Sequence, residues 1–136
     1  MPTLLNPYLG FRGRAREAME FYHGVLGGDL TISTFGESQA SQDPAEQDLV
    51  MHAQIVTPGG LALMASDTPE RMPYNPGDTM SVSLSGEDEA ELRGYWDGLA
   101  DGATVLQPLD KAPWGGWFGM LKDRFGVTWL VNINGA

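Results

Sequence analysis

The amino-acid sequence predicts an α+β protein built from two similar β-α-β-β-β halves. The first observation is an internal repeat: FYHGVLGG at residues 21–28 and YWDGLADG at residues 95–102 carry two aromatics, a glycine, an aliphatic residue and a final glycine in the same order. The second observation is the order of the predicted elements around each copy of the repeat. Each copy lies at the end of a segment with helical periodicity, and strand patterns precede and follow that segment. Two amphipathic helices can also look alike by chance, but the matching order of elements favours a duplicated module.

The first half begins with a predicted strand and continues into a helix from Arg14 to Leu26, where apolar residues recur at helical spacing. Gly27-Gly28 ends this helix, because glycine adopts the left-handed conformation at a helix end at little cost. A hairpin is predicted around Pro58-Gly59-Gly60, between two runs rich in apolar residues. The strands of this half are predicted at residues 4–11, 29–36, 51–56 and 61–66.

The second half opens on TMSVSLS, residues 79–85, which is a strand with period-two alternation. Ser85 to Asp88 starts the second helix, and the acidic first turn suits the positive end of the helix dipole. This helix is predicted to end near Asp101-Gly102. The remaining strands are predicted at Thr104 to Leu109, Trp117 to Lys122 and Val127 to Ile133.

Two segments are predicted to be irregular. Gly36 to Asp48 holds four acidic residues, no basic residue and no aliphatic residue larger than alanine, which indicates a solvated loop, with a functional lid as the alternative. Asp67 to Asp78 contains three prolines between the halves and is the predicted linker. Residues 1–136 are therefore expected to form one domain. Its parts are module one at about 3–67, the linker at about 67–78 and module two at about 79–133.

The composition of the chain limits its partners. Against 8 basic residues there are 18 acidic ones, and the formal charge of -10 repels phosphate backbones and anionic membranes, so nucleic acid and lipid are not expected. Solubility alone is a sufficient reason for such a charge. The absence of cysteine excludes disulfides, cysteine-bound zinc and thiol nucleophiles. No apolar run approaches the roughly 20 residues of a membrane span, and the N-terminus lacks a signal-peptide pattern, so we expect a cytoplasmic protein.

Five stretches of the chain form a recognisable combination: PYLGF with the following AREAMEFYHGVLGG, then MHAQI, LMASD, the APWGG that follows PLD, and GMLKDRFGVTWLVN. They run from Pro7 to Asn132. In this combination the chain resembles the vicinal oxygen chelate superfamily, which has the glyoxalase and bleomycin-resistance fold, and within it the PhnB-like branch. The resemblance implies two βαβββ modules whose curved mixed sheets surround a shared cavity, with the helices outside. That fold agrees with the duplication found from the repeat.

Chemistry in this superfamily usually rests on a divalent metal, held by imidazole, amide or carboxylate groups of the first and edge strands. By the resemblance, the corresponding positions here are Asn6, Thr79 and Leu130. Metal-binding members have a glutamate at the last of these, four residues after the turn glycine of the final strand, and LALMAS offers no carboxylate either. An amide, a hydroxyl and an alkyl group are poor ligands for a hard or borderline cation. We therefore expect no functional metal site and no cofactor.

Without a metal, the cavity is expected to bind a small molecule by shape, aromatic contacts and a few polar groups. The candidate ligand-binding residues are Tyr8, His52, Gln54, Trp114 and Trp117. By strand parity His52 shares a face with Gln54, and Tyr8 shares one with Asn6. His52 is either a ligand contact or acid-base group, or a strand histidine bonded to the backbone or to solvent. The two tryptophans either line the cavity or cap the edge of the sheet.

Structural roles are predicted for other conspicuous residues. His23 is expected to face solvent on the first helix, and Trp129 to pack in the core beneath the helices. Asp123 is expected to form the turn before the last strand. Ser81 and Ser83 share a strand face, where they either bond a ligand or satisfy each other.

Two functions of different classes stay open. The first is a protein that binds or sequesters a small molecule without a metal, in the manner of the antibiotic-resistance relatives, and that is a homodimer. The alternative is a metal-dependent lyase, isomerase or dioxygenase of the superfamily with a displaced metal site. Serine hydrolase elbows, phosphate loops and dinucleotide fingerprints are absent from the sequence. No strand-glycine-helix nucleotide site supports the demethylubiquinone methyltransferase name that some relatives carry. The missing metal ligands favour the first function.

Overall fold

The structure of the protein is a computed structural model that describes residues 3–39 and 41–134. Its strands and helices are, in order, β1 Tyr8–Phe11, α1 Ala15–Leu26, β2 Asp29–Thr34, β3 Val50–Val56, β4 Ala62–Asp67, β5 Val82–Gly86, α2 Glu89–Ala100, β6 Thr104–Lys111, β7 Trp117–Lys122 and β8 Thr128–Ile133. The chain divides into two compact units, Met1–Pro76 and Gly77–Ala136, and each has the predicted β-α-β-β-β order. Residues 1, 2, 40, 135 and 136 of the predicted domain lie outside the described residues. Residue 40 is also part of the predicted acidic loop. No helix in the described part of the chain is long and apolar enough to cross a membrane.

The first unit is a four-stranded mixed sheet with α1 packed on one face. The strand order is β1-β4-β3-β2, in which β1 and β4 are parallel and the other neighbours are antiparallel. Helix α1 forms because its apolar side chains make one stripe that packs on the sheet. The buried side chains of this core include Phe11, Ala15, Ala18, Met19, Tyr22, Val50, Ala53, Ile55, Leu63 and Ala65. The other face of the sheet carries the alternate residues of each strand.

The start of α1 is held by a carboxylate from a distant part of the chain. Oδ1 of Asp67 accepts hydrogen bonds from the backbone amides of Gly13 (2.8 Å) and Ala15 (2.9 Å). Its Oδ2 accepts a third from the amide of Val50 at 3.0 Å. The first amides of a helix have no partners within the helix, so Asp67 supplies them. The sequence suggests that Asp67 starts the linker, whereas it ends β4 and is buried, because these amides need its carboxylate.

The second unit repeats the arrangement, with strand order β5-β8-β7-β6 and α2 on one face. Its buried core includes Leu84, Leu92, Trp96, Leu99, Leu121, Trp129, Val131 and Ile133. Gly119 on β7 makes room for Trp96, because a Cβ at this position would lie 2.8 Å from the indole ring. Asp88 caps α2, since its side chain accepts a hydrogen bond from the amide of Glu91 at 3.0 Å.

The turn before β8 is organised by Asp123. Its Oδ1 accepts hydrogen bonds from the amides of Phe125 (2.8 Å) and Val127 (3.0 Å). Its Oδ2 accepts one from Nε1 of the buried Trp129 at 2.8 Å. The predicted core position of Trp129 and the predicted turn role of Asp123 are therefore confirmed.

Four strand ends differ from the prediction by two residues or more, and one of them is the end of β2, which lies at Thr34 instead of residue 36. β1 begins at Tyr8, four residues later than predicted, because its pairing with β4 starts there and Pro7 has no amide hydrogen to donate. β5 begins at Val82, three residues later than predicted, where its pairing with β8 starts. β6 extends two residues further than predicted, because Lys111 still pairs with Trp117 of β7.

The acidic loop between β2 and β3 is more ordered than a solvated segment. It contains a 3-10 turn at Pro44–Glu46, and the side chain of Glu46 is buried. Glu46 accepts a hydrogen bond from the Ser41 hydroxyl at 2.6 Å and forms an ion pair with Arg71. The Ser41 hydroxyl, and then the Arg71 guanidinium, hold the pKa of Glu46 below its ordinary value. This carboxylate ties the loop to the segment that follows β4.

Candidate functional site

The face of the first sheet opposite α1 carries a group of side chains without permanent charge. Residues paired across neighbouring strands project to the same face, as do residues two apart on one strand. The register places Tyr8 opposite Met64, and Gln54 opposite both Met64 and Thr31. We call this set the first open face, and its members are Tyr8, Thr31, Ser33, His52, Gln54, Met64 and Ser66.

Tyr8 and His52 meet across the first open face. The phenolic oxygen lies 3.2 Å from Nδ1 of His52, and the two ring centroids are 5.8 Å apart at an interplanar angle of 42°. Since β4 lies between β1 and β3, the Tyr8 side chain crosses a strand to reach the histidine. Gly10, the next residue of β1 on this face, leaves open space, because a Cβ there would meet no atom closer than 3.9 Å. Tyr8 is 52% exposed and His52 is half-buried, so both are accessible to a ligand.

Three of the five residues predicted to bind a ligand are therefore on one face of one sheet. Gln54 lies two residues from His52 on β3, and it is half-buried like the histidine. The backbone carbonyl of His52 also accepts a hydrogen bond from the Ser33 hydroxyl at 3.4 Å. The face thus presents hydroxyl, amide and imidazole groups that can both donate and accept hydrogen bonds.

Trp114 forms an aromatic shelf in the second unit. Its ring packs edge to face on Phe118, with centroids 5.7 Å apart at 65°, and Trp114 is 69% exposed. The register puts Phe118 opposite Asp110 and Met120 opposite Gln107. These residues line a cavity of about 380 Å³, whose walls include Leu106, Gln107, Asp110, Trp114, Phe118 and Met120. We call these six residues the aromatic shelf.

Trp117 lies on the other side of the same sheet. The guanidinium of Arg93 on α2 sits over its ring, 4.6 Å from the centroid, so Trp117 faces the helix. Consecutive residues of β7 alternate between faces, which separates Trp117 from Phe118 and from the shelf. Trp117 instead lines a separate cavity of about 410 Å³ together with Glu87, Glu89 and Lys111. Its predicted role as a ligand contact stays a prediction.

The positions that carry metal ligands in the superfamily do not provide a ligand set here. Asn6 precedes β1, and Thr79 is exposed before β5. Leu130 lies on β8, opposite Ser83 and Met120. Within residues 3–39 and 41–134, no three histidine, aspartate or glutamate side chains come together in a way that could hold a metal ion. The residues present therefore do not fit a divalent metal, and the expected absence of a metal in the purified protein stays a prediction.

The other candidates are distributed over the molecule. His23 is half-buried on α1, and its Nε2 lies 2.9 Å from the carbonyl oxygen of Gly28 at an exposed position after the end of the helix. Ser81 precedes β5 and Ser83 lies on it, and both are exposed. Burial, and then the hydrogen bond to Glu91, raises the pKa of Tyr95 on α2 to about 12, which is a local effect of the helix surface.

The sequence reasoning missed several residues that belong to these faces. Ser33 and Ser66 accompany His52 on the first open face, and strand parity counted from His52 and Met64 would have found them. Phe118 and Met120 were not predicted beside Trp114. Parity along β7 puts them on one face, but the loop that carries Trp114 back over them has no periodic pattern to show it.

Comparison with known proteins identifies the family. The chain matches the family model described as 3-demethylubiquinone-9 3-methyltransferase over residues 4–132. Protein PA1353 from Pseudomonas aeruginosa is 41% identical, with 98% of each chain covered and a TM-score of 0.85. The PhnB protein from Bacillus cereus is 27% identical over 96% of this chain and 99% of that chain, with a TM-score of 0.72.

A more distant structure shares the fold. A glyoxylase/bleomycin resistance protein/dioxygenase domain from Frankia sp. EAN1pec is 19% identical, with 99% of each chain covered and a TM-score of 0.65. The predicted α+β fold of two βαβββ modules is thereby confirmed, as is the resemblance seen in the sequence. The chain belongs to the family that the matching model describes, the PhnB-like family of the vicinal oxygen chelate (glyoxalase/bleomycin resistance/dioxygenase) superfamily.

Proposed function

We propose that the protein binds a neutral, flat small molecule and holds it without a metal, as a sequestering or resistance-type protein. The observation that carries this proposal is the first open face, where Tyr8, His52 and Gln54 gather accessible polar groups without a permanent charge. Small-molecule sites combine apolar and aromatic surface with a few placed polar groups. Family membership is consistent with many activities, so the proposal rests on this face rather than on the fold.

The lack of permanent charge on Tyr8, His52 and Gln54 favours a neutral ligand. An ionic ligand that leaves water needs a partner of opposite charge to offset its desolvation. Asp29 projects to the same face of the sheet two residues before Thr31, but it is exposed at the start of the edge strand β2, where it pairs with Val56. The formal charge of -10 also disfavours polyanions. Hydroxyl, amide and imidazole groups suit a ligand that is recognised by hydrogen bonds.

The aromatic shelf indicates a flat ligand. The ring planes of Trp114 and Phe118 meet edge to face at an angle of 65°. This arrangement leaves the exposed face of the indole open to an aromatic or unsaturated ring of the ligand. Stacking on an aromatic side chain typically contributes about 0.5–1.5 kcal/mol beyond the buried area. Leu106 and Met120 add apolar surface around the ring. Each unit therefore offers its own contacts to a molecule of this type.

Methyl transfer, the activity in the description of the family model, needs a bound methyl donor. Helix N-termini are common sites for the anionic groups of cofactors. In this protein the carboxylate of Asp67 occupies the start of α1, and Asp88 occupies the start of α2. Both helix starts are thus already used by carboxylates of the protein, which favours binding over methyl transfer.

As part of the same proposal, the protein is a homodimer in the cytoplasm. Closed two-fold pairs are the commonest soluble oligomers, and β6 leaves an exposed sheet edge that benefits from cover. Val105 and Leu106 of this strand are 46% and 52% exposed. A second chain would remove this apolar surface from water. The absence of cysteine is compatible with a reducing compartment.

The test is a ligand-observed NMR screen of neutral aromatic fragments, with the hits mapped on backbone amides. Shifts in β1, β3 and β4 around Tyr8, His52 and Gln54 would support the proposal. Hits that map only to the acidic loop at residues 36–48 would contradict it. Mass spectrometry of the protein as purified shows in addition whether a small molecule stays bound through purification.

The enzymatic alternative is tested by elemental analysis after dialysis against zinc, nickel or manganese. The proposal predicts no stoichiometric metal, because Asn6, Thr79 and Leu130 offer no ligand set. About one ion per chain, lost when a residue of an open face is substituted, would favour the metal-dependent lyase, isomerase or dioxygenase instead.

A further inference from the structure

The chain has two histidines, and their hydrogen bonds assign different roles to their ring nitrogens. In His23, Nε2 lies 2.9 Å from the carbonyl oxygen of Gly28. A carbonyl oxygen can only accept, so Nε2 of His23 carries a proton. In His52, Nδ1 lies 3.2 Å from the Tyr8 hydroxyl, which can donate or accept. The tautomer of His52 therefore depends on which way this one hydrogen bond runs.

Three observations indicate that Tyr8 donates in this bond. A phenol is a stronger acid than the N–H of a neutral imidazole, so it is the better donor of the two. Within residues 3–39 and 41–134, the Tyr8 hydroxyl makes no hydrogen bond other than the one to His52. No carboxylate bonds to the His52 ring in that part of the chain, so nothing there favours a proton on Nδ1.

We propose that the Tyr8 hydroxyl holds His52 in the tautomer with the proton on Nε2, so that the first open face offers an N–H donor to an oxygen acceptor of the ligand. The proposal rests on the proposed function and names its ligand class: a neutral, flat molecule with a carbonyl-type oxygen. Tyr8 is a positioning residue in this arrangement, because it acts through His52.

The surroundings of His52 make its tautomer decisive for ligand choice. The second ring nitrogen of His52 has no hydrogen-bond partner among the described residues, and the side chain is half-buried. The hydroxyls of Ser33 and Ser66 and the amide of Gln54 can each donate or accept, so they adapt to either kind of ligand atom. A neutral imidazole with Nδ1 engaged can only donate from Nε2. His52 thus sets the polarity that the ligand must match.

The first test measures the tautomer in the ligand-free protein by long-range ¹H–¹⁵N NMR, in which a protonated and an unprotonated ring nitrogen resonate far apart. His23 serves as an internal reference for a proton on Nε2. We expect His52 to show the same tautomer as His23, and Tyr8→Phe to add the other tautomer at His52 while leaving His23 unchanged. A proton on Nδ1 of wild-type His52, or spectra that Tyr8→Phe leaves unaltered, would overturn the assignment.

The second test compares two probes, 1-methyl-2-quinolone and 1-methylindole. Both are neutral N-methylated bicyclic rings without an N–H donor, and only the quinolone has a carbonyl oxygen. One hydrogen bond corresponds to about a five-fold tighter dissociation constant for the quinolone in the wild type. His52→Gln, which keeps an N–H donor, is expected to retain this preference, and His52→Leu to lose it. Tyr8→Phe is expected to reduce it to about two-fold.

Two results would separate the failure of this inference from the failure of the proposed function. Binding of both probes to the first open face with equal affinity would overturn the ligand class and leave small-molecule binding in place. Binding of neither probe would contradict the proposed function at this face and, with it, the ligand class. The tautomer of His52 is decided by the first measurement in either case.

Discussion

The carboxylate of Asp67 lies 2.9 Å from the backbone nitrogen of Ala15, although 52 residues separate the two in the chain. This hydrogen bond joins the end of β4 to the start of α1. Two further amides, of Gly13 and Val50, bond to the same carboxylate. One buried side chain therefore fixes the position of α1 on the sheet whose other face holds Tyr8 and His52.

We expect Asp67→Ala to destabilise the protein by about 3 kcal/mol, because three amides lose a charged acceptor in a buried place. Asp67→Asn should cost roughly half of this, since its carbonyl oxygen can still accept from two of the amides. Urea unfolding of both variants measures the loss. Asp29→Ala removes an exposed carboxylate and should stay within about 0.5 kcal/mol of the wild type. An equal result for Asp67→Ala and Asp29→Ala would show that the cap contributes nothing.

Two glycines of the second unit should respond in opposite ways to the same substitution. Gly119→Ala is expected to cost about 1–3 kcal/mol, because the new Cβ would lie 2.8 Å from the ring of Trp96 and 2.9 Å from Cα of Leu109. Gly94→Ala should stabilise by about 0.5–1 kcal/mol, since it lies within α2 and a Cβ there meets no atom within 4 Å. Thermal unfolding compares the pair. A melting temperature that falls in both variants, or rises in both, contradicts this packing.

Stability should depend on pH through Glu46. Its pKa in the folded protein lies below the ordinary value of 4.5, so the stabilisation is complete above that value and is lost as the pH falls through the folded pKa. Glu46→Gln has no charge to lose. We therefore expect it to be less stable than the wild type at neutral pH, with the difference shrinking below pH 4.5. Urea unfolding from neutral pH to below pH 4.5 measures the difference in unfolding free energy between the wild type and Glu46→Gln. A difference that does not change with pH would show that the Ser41 and Arg71 contacts do not act on the carboxylate.

We expect a homodimer in solution. Val105 and Leu106 on the edge strand β6, together with Trp114, leave apolar side chains exposed in the single chain. Light scattering on a sizing column should give twice the chain mass of 14.7 kDa. The variant Trp114→Ser tests whether the aromatic shelf is part of the dimer interface. The mass of a single chain at micromolar concentration would refute the expectation.

Local sequence patterns predicted the helices and strands. The features that these patterns missed depend on contacts between residues that are distant in the chain. Helical periodicity is a property of neighbouring residues, so α1 was found within one residue at each end, whereas α2 begins at Glu89, after the predicted start at Ser85 to Asp88. Parity placed His52 and Gln54 on one face, but their meeting with Tyr8 needs β1 and β3 to lie on either side of β4. That order is set by pairings between residues far apart in the chain. Asp67 was taken for a linker residue for the same reason, since its partners are 52 and more residues away or on another strand.

Trp114 and Trp117 show most clearly where strand parity stops predicting the direction of a side chain. Trp114 and Trp117 are three residues apart and were treated as one pair at a cavity rim. The structure puts Trp114 on Phe118 and Trp117 under Arg93, on opposite sides of the sheet. Trp117 is on a strand, where parity applies, whereas Trp114 is in the hairpin loop, where no period predicts direction.

The most direct measurement of the central claim is the affinity of neutral aromatic fragments with a carbonyl-type oxygen for wild-type protein and for His52→Ala, with the melting temperature of each variant recorded. Loss of one hydrogen bond typically costs on the order of 1 kcal/mol, so fragments should bind His52→Ala about five-fold more weakly or worse while the fold is kept. His23→Ala, the same change at the histidine on α1, should leave their affinity unchanged. Equal binding to His52→Ala and wild type, or hits that map to residues 36–48, would mean that the first open face is not the binding site.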